Sequence, residues 1–348
     1  MSETTGIEAK TVHRLLEYNP IERIFVKDEN NQLNTDLLIL DEASMIDIVL
    51  FFNLLKAVPR RAVVVLIGDI DQLPSIGPGN VLKDVINSGF VSTVRLTEIF
   101  RQCAESLIII NAHRINKGEM PVLVSSSGYS SEDFQIDFVY YQMNNSEQIV
   151  NKIIDLCKNE LPAEYSCDPI NDIQVLIPMH KGVVGVSNLN TELQKVLNPY
   201  AEGIHFGSRI FKAGDKVMQN RNNYQKEVFN GDLGRIYLID KDEGELIVDF
   251  EGRKVRYTNI DIDELILAYA VTVHKSQGSE YPIIVMALLP EHYMLLQRNL
   301  LYTGITRGKK HVVLIGNDRS IMQAVSNNKS TKRFTYLKER LAGIIKLG

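Results

Sequence analysis

Several features that mark specialised protein classes are scarce or absent in this sequence. It has no tryptophan and only three cysteines in 348 residues, Cys103, Cys157 and Cys167, whose spacing does not match a metal site. So few cysteines argue against a disulfide framework and favour a reducing, cytoplasmic setting. All apolar runs are shorter than a membrane span, and the first residues do not resemble a secretory signal. We therefore expect no membrane partner.

An excess of basic charge is also missing. The 38 Lys and Arg residues face 43 Asp and Glu residues, which gives a formal net charge of −5 and a pI near 5.9. This balance excludes a uniformly basic nucleic-acid coat, so any contact with DNA or RNA must come from local basic clusters. The hydrophobic fraction of 45% is ordinary for a globular protein, and the length allows two or three domains.

The most informative segment that is present is an apolar run, Leu37–Leu40, that leads directly into Asp41 and Glu42. A short continuous apolar run predicts a fully buried strand of a parallel sheet. Both carboxylates would then lie at the carboxyl end of that strand, where open α/β sheets place their ligand sites. One carboxylate can hold Mg²⁺ while the other orients or deprotonates a water, as at the Walker B site of an NTPase. The alternative is a solvated acidic turn.

The surrounding pattern predicts an α/β fold. A second apolar run at 62–67 ends in Gly68 and Asp69, and helical spacing at 45–58 separates the two runs, which makes a β-α-β unit. A Ser- and Gly-rich stretch at 125–131 predicts a boundary loop between two sheet halves. Further apolar periodicity predicts helices at 81–88, 106–117 and 146–158, and strands at 173–177, 283–288 and 311–315.

Between about residues 208 and 265 the pattern changes. Turn sequences become frequent, and short alternating strands lie between them at 234–239, 245–250 and 254–257. This spacing is typical of a small antiparallel barrel. Because the α/β pattern resumes at residue 268, we interpret the barrel as an insertion.

Three further side chains are candidates for nucleotide chemistry. Gln72 lies in the loop that follows the second apolar run, and its amide can touch a γ-phosphate or the attacking water. Arg101 and Arg307 each stand beside a predicted sheet element, and an arginine that reaches a γ-phosphate accelerates transfer by about 10³–10⁵. A single arginine is more often an ordinary surface residue, and a Pro- and Gly-rich loop is usually only a turn.

The segment 270–280 combines hydroxyl groups, an imidazole, a lysine and a glycine in a short loop. Such a loop can donate several hydrogen bonds to a phosphodiester backbone. Taken alone, Thr272, His274 and Lys275 would carry no functional meaning.

Five sequence blocks follow one another along the chain: LLILDEASM, GDIDQLPSIGPG, LTEIFRQ, AYAVTVHKSQGSEY and YTGITRGKK. In combination and in this order they resemble the later motifs of superfamily 1 helicases. The resemblance is closest to the RecD-like branch, which contains the alpha subunit of exodeoxyribonuclease V and its stand-alone relatives, and it extends from residue 11 to residue 310. The family implies two RecA-like parallel-sheet lobes with ATP between them, single-stranded DNA across both, and 5′-to-3′ translocation.

The resemblance also implies domain bounds. Residues 1–130 would form the first lobe, truncated at its N-terminal side, with a short duplex-splitting hairpin near 25–34. Residues 131–207 and 266–348 would form the second lobe, and residues 208–265 its inserted SH3-like barrel.

Residue roles follow from the same resemblance. Asp41 would be the Mg²⁺ carboxylate, Glu42 the base for water and Gln72 the phosphate sensor, while Arg101 and Arg307 would complete the ATP site from the second lobe. Gln277, Gly278 and Glu280 match the segment that faces both nucleotide and DNA. The DNA-facing positions would be Thr11, His13, Pro74, Thr272, His274 and Lys275.

One departure from the family pattern is decisive for activity. No G-x-x-x-x-G-K-[ST] phosphate loop occurs in the chain, and the nearest string, 304–310, lacks the spacing and the hydroxyl. The family places that loop upstream of residue 11. We therefore expect this chain to be a C-terminal fragment of a longer helicase, and to hydrolyse ATP negligibly by itself; the alternative is a shortened, NTPase-dead paralogue.

The leading functional prediction is the motor core of an ATP-dependent DNA helicase of repair or recombination. The expected partners are single-stranded DNA or duplex ends, with other exodeoxyribonuclease V subunits as additional candidates. Three alternatives remain: a relaxase-associated conjugative helicase fragment, a non-enzymatic DNA-binding or subunit-interaction module, and an RNA-directed superfamily 1 helicase.

Overall fold

The computed structural model describes residues 6–96, 105–125, 137–199, 202–207, 209–328, 333 and 335–343. The chain divides into two compact units, which are described separately below. Unit 1 comprises residues 1–98 and 329–348, and unit 2 comprises residues 99–328. None of the helices in the described ranges is long and apolar enough to cross a membrane.

Unit 1 is a small α/β unit with two short sheets. Its first elements, in chain order, are helix α1 (Val12–Leu15), strands β1 (Tyr18–Asn19), β2 (Ile24–Phe25) and β3 (Leu37–Leu40), helix α2 (Ile48–Ala57), strand β4 (Val63–Leu66) and helix α3 (Val81–Ser88). Strands β1 and β2 form an antiparallel hairpin, whereas β3 and β4 pair in parallel with Leu37 opposite Val63. The hairpin therefore precedes the predicted position near 25–34 and shares only Phe25 with it.

The two faces of the β3–β4 sheet differ in exposure. Leu38, Leu40, Val64 and Leu66 face the core of unit 1. The opposite face is apolar but uncovered, since the exposed fractions of its side chains are 54% for Leu37, 44% for Ile39, 59% for Val63 and 39% for Val65. The prediction that Leu37–Leu40 is fully buried is thus wrong for this outer face, because the described residues cover only one side of the sheet.

Unit 2 is built on a five-stranded parallel sheet. Its elements outside the barrel are α4 (Leu107–Lys117), β5 (Phe138–Gln142), α5 (Ser146–Asp155), a π-helical turn (Leu156–Glu160), α6 (Leu161–Tyr165), β6 (Ile173–Ile177), α7 (Val186–Leu197), β14 (Ala270–Thr272), β15 (Tyr281–Leu288), α8 (Arg298–Ile305), β16 (Gly308–Gly316) and α9 (Asp318–Ser326). The strand order is β14-β6-β15-β16-β5, with all neighbours parallel. Strand β15 is buried on both faces, as its apolar sequence requires.

An antiparallel barrel is inserted between α7 and β14 of unit 2. Its strands are β7 (Gly203–Phe206), β8 (Arg209–Lys212), β9 (Lys216–Gln219), β10 (Leu233–Asp240), β11 (Glu245–Phe250), β12 (Arg253–Tyr257) and β13 (Leu265–Leu267). Strands β7 and β8 pair as a hairpin, and the other five have the order β12-β11-β10-β9-β13. Phe211, Val248 and Tyr257 are fully buried in the barrel core. The predicted α/β fold with an inserted SH3-like barrel is confirmed.

The unit boundaries differ from the predicted domains at both ends. Residues 105–125 belong to unit 2, because α4 packs on α8 there. The C-terminal segment returns to unit 1, where the last helix, α10 (Leu337–Leu341), packs on α3. Leu337 and Leu341 contact the core of unit 1. The predicted boundary loop at 125–131 lies outside the described residues, apart from Ser125.

A buried histidine makes the stability of unit 2 depend on pH. His292 is almost completely buried, its Nδ1 accepts a hydrogen bond from the Leu289 amide, and burial lowers its pKa from 6.5 to about 4. Between these two values the unfolded chain binds a proton that the folded chain does not, so stability falls as pH falls.

We therefore expect unit 2 to lose about 2 kcal/mol of stability through His292 between pH 7 and 4.5. Hydrogen exchange of the β15 amides measures this loss. The variant His292→Asn keeps an acceptor for Leu289 but cannot take up the proton, so its pH dependence should be flatter by that amount. Equal slopes for the variant and the parent chain would contradict the assignment.

Candidate functional site

The acidic pair lies in a tight turn at the carboxyl end of β3. Asp41 accepts a hydrogen bond at Oδ1 from the Glu42 amide at 2.9 Å. Glu42 has a left-handed backbone with φ of 51°, an unusual conformation for a residue that is not glycine, and it starts a 3₁₀ turn, Ala43–Met45. Asp41 is exposed and Glu42 is half-buried. The turn therefore presents two carboxylates in different environments at the sheet edge.

A glycine brings the next loop against this turn. The Ala43 amide donates to the Ile67 carbonyl at 2.8 Å, which ties the turn to the end of β4. A Cβ atom at Gly68 would lie 2.9 Å from the Ala43 nitrogen and 3.0 Å from the Ser44 nitrogen, closer than real Cβ contacts. Only glycine fits there, so the loop that contains Gln72 starts directly beside the acidic turn, as the sequence predicts.

Gln72 is held by a residue that the sequence analysis did not identify. Its Nε2 lies 3.4 Å from Oδ2 of Asp69, and Oδ1 of Asp69 accepts a hydrogen bond from the Asp71 amide at 2.9 Å. Asp69 therefore restricts the orientation of the Gln72 amide. Pro74 is half-buried in the same loop. The only sequence signal for Asp69 is its position immediately after Gly68 at a strand end.

The N-terminal candidates of unit 1 have local structural roles. Thr11 is exposed and accepts a hydrogen bond from the Arg14 amide at 3.3 Å, so it caps α1. His13 lies in an aromatic cluster with Tyr18 and Phe25, with ring centroids 5.5 and 5.8 Å away. Burial lowers the pKa of His13, and the Asp47 carboxylate opposes this effect. His13 is therefore a partly exposed aromatic group beside the hairpin.

In unit 2, the loop after β14 holds the second set of DNA candidates. Thr272 is buried and accepts a hydrogen bond from the Lys275 amide at 3.3 Å, which caps the 3₁₀ turn Val273–Ser276. Lys275 donates from Nζ to Oδ1 of Asn220 at 2.6 Å, so the loop is linked to the end of β9 in the barrel. Burial lowers the pKa of both His274 and Lys275. Thr272 thus shapes the loop, whereas His274 and Lys275 are partly exposed.

The next residues of the same loop contact the segment around Arg307. Arg307 donates from Nη1 to the Ser279 carbonyl at 3.2 Å, and its exposed fraction is only 4%. Gly278 is exposed with φ of 75°, and Gln277 is half-buried before it. Glu280 forms an ion pair of 3.0 Å with Lys309, exposed on both sides and therefore weak. Unit 2 thus brings Gln277, Gly278, Glu280 and Arg307 together. The side chain of Arg307 is buried there against the Ser279 carbonyl.

Most of the predicted site residues thus lie in two clusters, one in each unit. Unit 1 holds Asp41 and Glu42 beside the loop of Gln72 and Pro74, and unit 2 holds the 272–280 loop beside Arg307. Arg101 lies outside the described residues. The described residues contain no group of three or more His, Cys, Asp or Glu side chains suited to a metal. Such a cluster is not needed for Mg²⁺, which usually takes one or two carboxylates together with phosphate oxygens and water.

Three protein families match separate parts of the chain. A family described as an AAA domain matches residues 1–78. The SH3 domain of ATP-dependent RecD-like DNA helicases matches residues 189–250, which overlap the barrel. The C-terminal domain of UvrD-like helicases matches residues 267–315, which contain both the 272–280 loop and Arg307.

Two relatives match over almost the whole chain. The ATP-dependent RecD2 DNA helicase of Deinococcus radiodurans is 35% identical over 342 residues, which are 98% of this chain and 44% of that protein. The RecBCD enzyme subunit RecD of Buchnera aphidicola is 27% identical over 366 residues, which are 92% of this chain and 60% of that protein. The chain therefore spans about half the length of these relatives.

A solved structure supports the same fold. The Pif1 helicase of Bacteroides, in complex with ADP-AlF3 and ssDNA, superposes with a TM-score of 0.50 at 18% identity and covers 92% of this chain and 81% of that one. The order of the three family matches along the chain agrees with the order of the sequence blocks. Over 98% of its length the chain is thus similar to a RecD2 helicase, and its inserted barrel matches the SH3 domain of RecD-like helicases.

Proposed function

We propose that this chain is the later part of an ATP-driven DNA helicase of repair or recombination that moves 5′ to 3′ along single-stranded DNA. One observation carries the proposal. The close approach of Gly68 to Ala43 and Ser44 holds the Asp41–Glu42 turn beside the loop of Gln72. A metal carboxylate, a base and a water-orienting amide are the groups that phosphoryl transfer needs on one side of a nucleotide.

The environments of the two carboxylates support separate roles. Asp41 is the exposed one and would hold Mg²⁺ together with phosphate oxygens, where the ion would neutralise charge on the β- and γ-phosphates. Glu42 is half-buried and would accept the proton of the attacking water. Gln72, oriented by Asp69, would position that water. Arg101 and Arg307 would supply positive charge to the phosphates, and Gln277, Gly278 and Glu280 would contact the nucleotide.

The chemistry of the remaining candidates supports DNA contact that does not depend on sequence. Lys275 would supply charge to phosphates, while His13 and His274, whose pKa values are lowered by burial, would act as hydrogen-bond donors or stacking groups. Thr11, Pro74 and Thr272 would shape these loops. Binding of this kind depends strongly on salt concentration. Other exodeoxyribonuclease V subunits are additional candidate partners, since a RecBCD enzyme subunit is among the relatives of this chain.

The outer face of the β3–β4 sheet supports the proposal that further polypeptide completes unit 1. A parallel sheet is normally covered on both faces, yet Leu37, Ile39, Val63 and Val65 are exposed. In addition, the Ser44 hydroxyl is buried with no hydrogen-bond partner among the described residues. We propose that an upstream segment of the longer protein covers this face and contributes the phosphate loop that the sequence lacks.

A comparison of two polypeptides tests this function. We expect the longer protein, which includes the upstream segment, to hydrolyse ATP faster when single-stranded DNA is added. This chain alone should hydrolyse ATP negligibly, because it has no backbone cradle and no lysine for the β- and γ-phosphates. DNA-stimulated hydrolysis by this chain alone would overturn the fragment proposal. Lack of ATPase activity in the longer protein would overturn the motor proposal.

A further inference from the structure

The C-terminal segment of the chain contacts the loop of Gln72 directly. Helix α10 packs on α3, and just before it Thr335 donates from Oγ1 to Oδ2 of Asp84 at 3.0 Å. This segment follows the whole of unit 2 in the sequence but is part of unit 1. It therefore brings residues from the far end of the chain to the edge of the candidate site.

Arg333 is the residue of this segment that reaches the loop. Its Nη1 lies 2.7 Å from the Gly77 carbonyl oxygen, 2.7 Å from that of Gly79 and 3.0 Å from Oγ of Ser75. Ser75 is buried, and its hydroxyl also lies 3.1 Å from the Gly77 carbonyl oxygen. One guanidinium group thus draws two backbone carbonyls and a hydroxyl together. Hydrogen bonds from a charged donor are about twice as strong as neutral ones.

The opposite side of this loop is fixed by close packing. A Cβ atom at Gly77 would lie 2.1 Å from Oδ2 of Asp47, so only glycine fits. The Ile48 amide donates to the Pro78 carbonyl at 2.8 Å. Asp47 and Ile48 hold one side of the loop, and Arg333 holds the carbonyls on the other. The position of Gln72, three residues before Ser75, therefore depends on both anchors.

We propose that Arg333 is a positioning residue for Gln72, and through it for the water that attacks ATP. This inference rests on the proposed function. None of the predicted motifs contains Arg333. Its contacts are to backbone carbonyls and a hydroxyl, and not to any residue predicted to bind the nucleotide. Its effect should thus appear in the rate of the chemical step and not in the affinity for nucleotide, because misplacement of a reacting group by about 1 Å can cost about 10²-fold.

The first experiment uses this chain itself. In Arg333→Ala we expect hydrogen exchange of the backbone amides at 75–77, 79 and 80 to become about tenfold faster than in the parent chain. Arg333→Lys, which keeps one charged donor, should give an intermediate rate. The matched control is Arg340→Ala, which removes an exposed arginine from the same segment. Equal exchange in Arg333→Ala and Arg340→Ala would overturn the proposed anchor.

The second experiment uses the longer protein. Arg333→Ala should lower kcat of DNA-stimulated ATP hydrolysis by about 10- to 100-fold and leave KM for ATP within about twofold. Arg333→Lys should recover part of the loss, and Arg340→Ala should have no effect. The double variant with Gln72→Ala should be no slower than Gln72→Ala alone, because both changes act through one group.

The outcomes separate the two proposals. If the longer protein hydrolyses ATP and Arg333→Ala behaves like Arg340→Ala, the positioning role is wrong while the motor function stands. If losses from Arg333→Ala and Gln72→Ala multiply, Arg333 acts by another route and the inference fails. If the longer protein has no ATPase activity, the proposed function fails, and the positioning role fails with it.

Discussion

Replacement of Glu42 by glutamine in the longer protein should stop ATP turnover without loss of nucleotide binding. A general base contributes about 10²–10⁴-fold to the rate of a step in which a proton is transferred. Glutamine keeps the size of the side chain and cannot accept that proton. The left-handed backbone of Glu42 is a property of the turn, which glutamine tolerates as well as glutamate does. We therefore expect kcat to fall by about 10³-fold, with the Kd for ATP nearly unchanged.

Two control variants make this result specific. Asp41→Asn should weaken the dependence of binding on Mg²⁺, since Asp41 is the exposed carboxylate of the pair. Glu22→Gln removes an exposed carboxylate from the hairpin of the same unit and should change neither quantity. Steady-state hydrolysis with single-stranded DNA and equilibrium nucleotide binding are the measurements. Turnover within tenfold of the parent in Glu42→Gln would show that another group accepts the proton.

Elements with a strong local signal could be predicted from the sequence. The bounds of β6, β11 and α3 agree with the predicted strands at 173–177 and 245–250 and the predicted helix at 81–88. In β6 all five residues are buried and four of them are apolar, so a mostly apolar run was sufficient evidence here. Helix α3 ends at Gly89, which has a left-handed backbone with φ of 67°. In these cases the local pattern and the tertiary environment agree.

Other elements depend on contacts that no local pattern carries. Strand β5 (Phe138–Gln142), an edge strand of the sheet, was not predicted from the sequence. Helix α5 ends at Asp155 and continues as a π-helical turn, whereas the periodicity predicts one uninterrupted helix at 146–158. The contact of Arg333 with Gly77 and Gly79 joins residues more than 250 positions apart in the sequence. The sequence around Arg333 gives no signal for such a contact.

The candidate site likewise contains residues with a local sequence signal and residues whose contacts depend on the tertiary structure. The neighbouring positions of Asp41, Glu42 and Gln72 could be predicted, because strand ends and β-α-β connections fix where their loops meet. Asp69 and Lys309 could not be assigned, since their roles follow from which neighbour each side chain contacts, namely Gln72 and Glu280. The burial of Arg307 against Ser279 was also unpredictable, because an arginine in a loop is usually exposed.

A charge on the outer face of the β3–β4 sheet should have little effect on stability in this chain and a large effect in the longer protein. In this chain Ile39 is 44% exposed, so Ile39→Lys should change the free energy of unfolding of unit 1 by no more than about 0.5 kcal/mol. In the longer protein we propose that this face is covered. An unpaired charge there should destabilise unit 1 by about 3–5 kcal/mol. Hydrogen exchange of the β3 and β4 amides reports this free energy for unit 1 separately.

The matched control lies on the other face of the same strand. Leu40 is buried against the core of unit 1 in this chain, so Leu40→Ala should destabilise both polypeptides by about 2–5 kcal/mol. Only the outer-face substitution should therefore distinguish them. If Ile39→Lys is equally mild in both, the upstream segment does not cover this face. The apolar side chains of Leu37, Ile39, Val63 and Val65 would then have to be covered by another partner, since a parallel sheet with one apolar face in water is unstable against association.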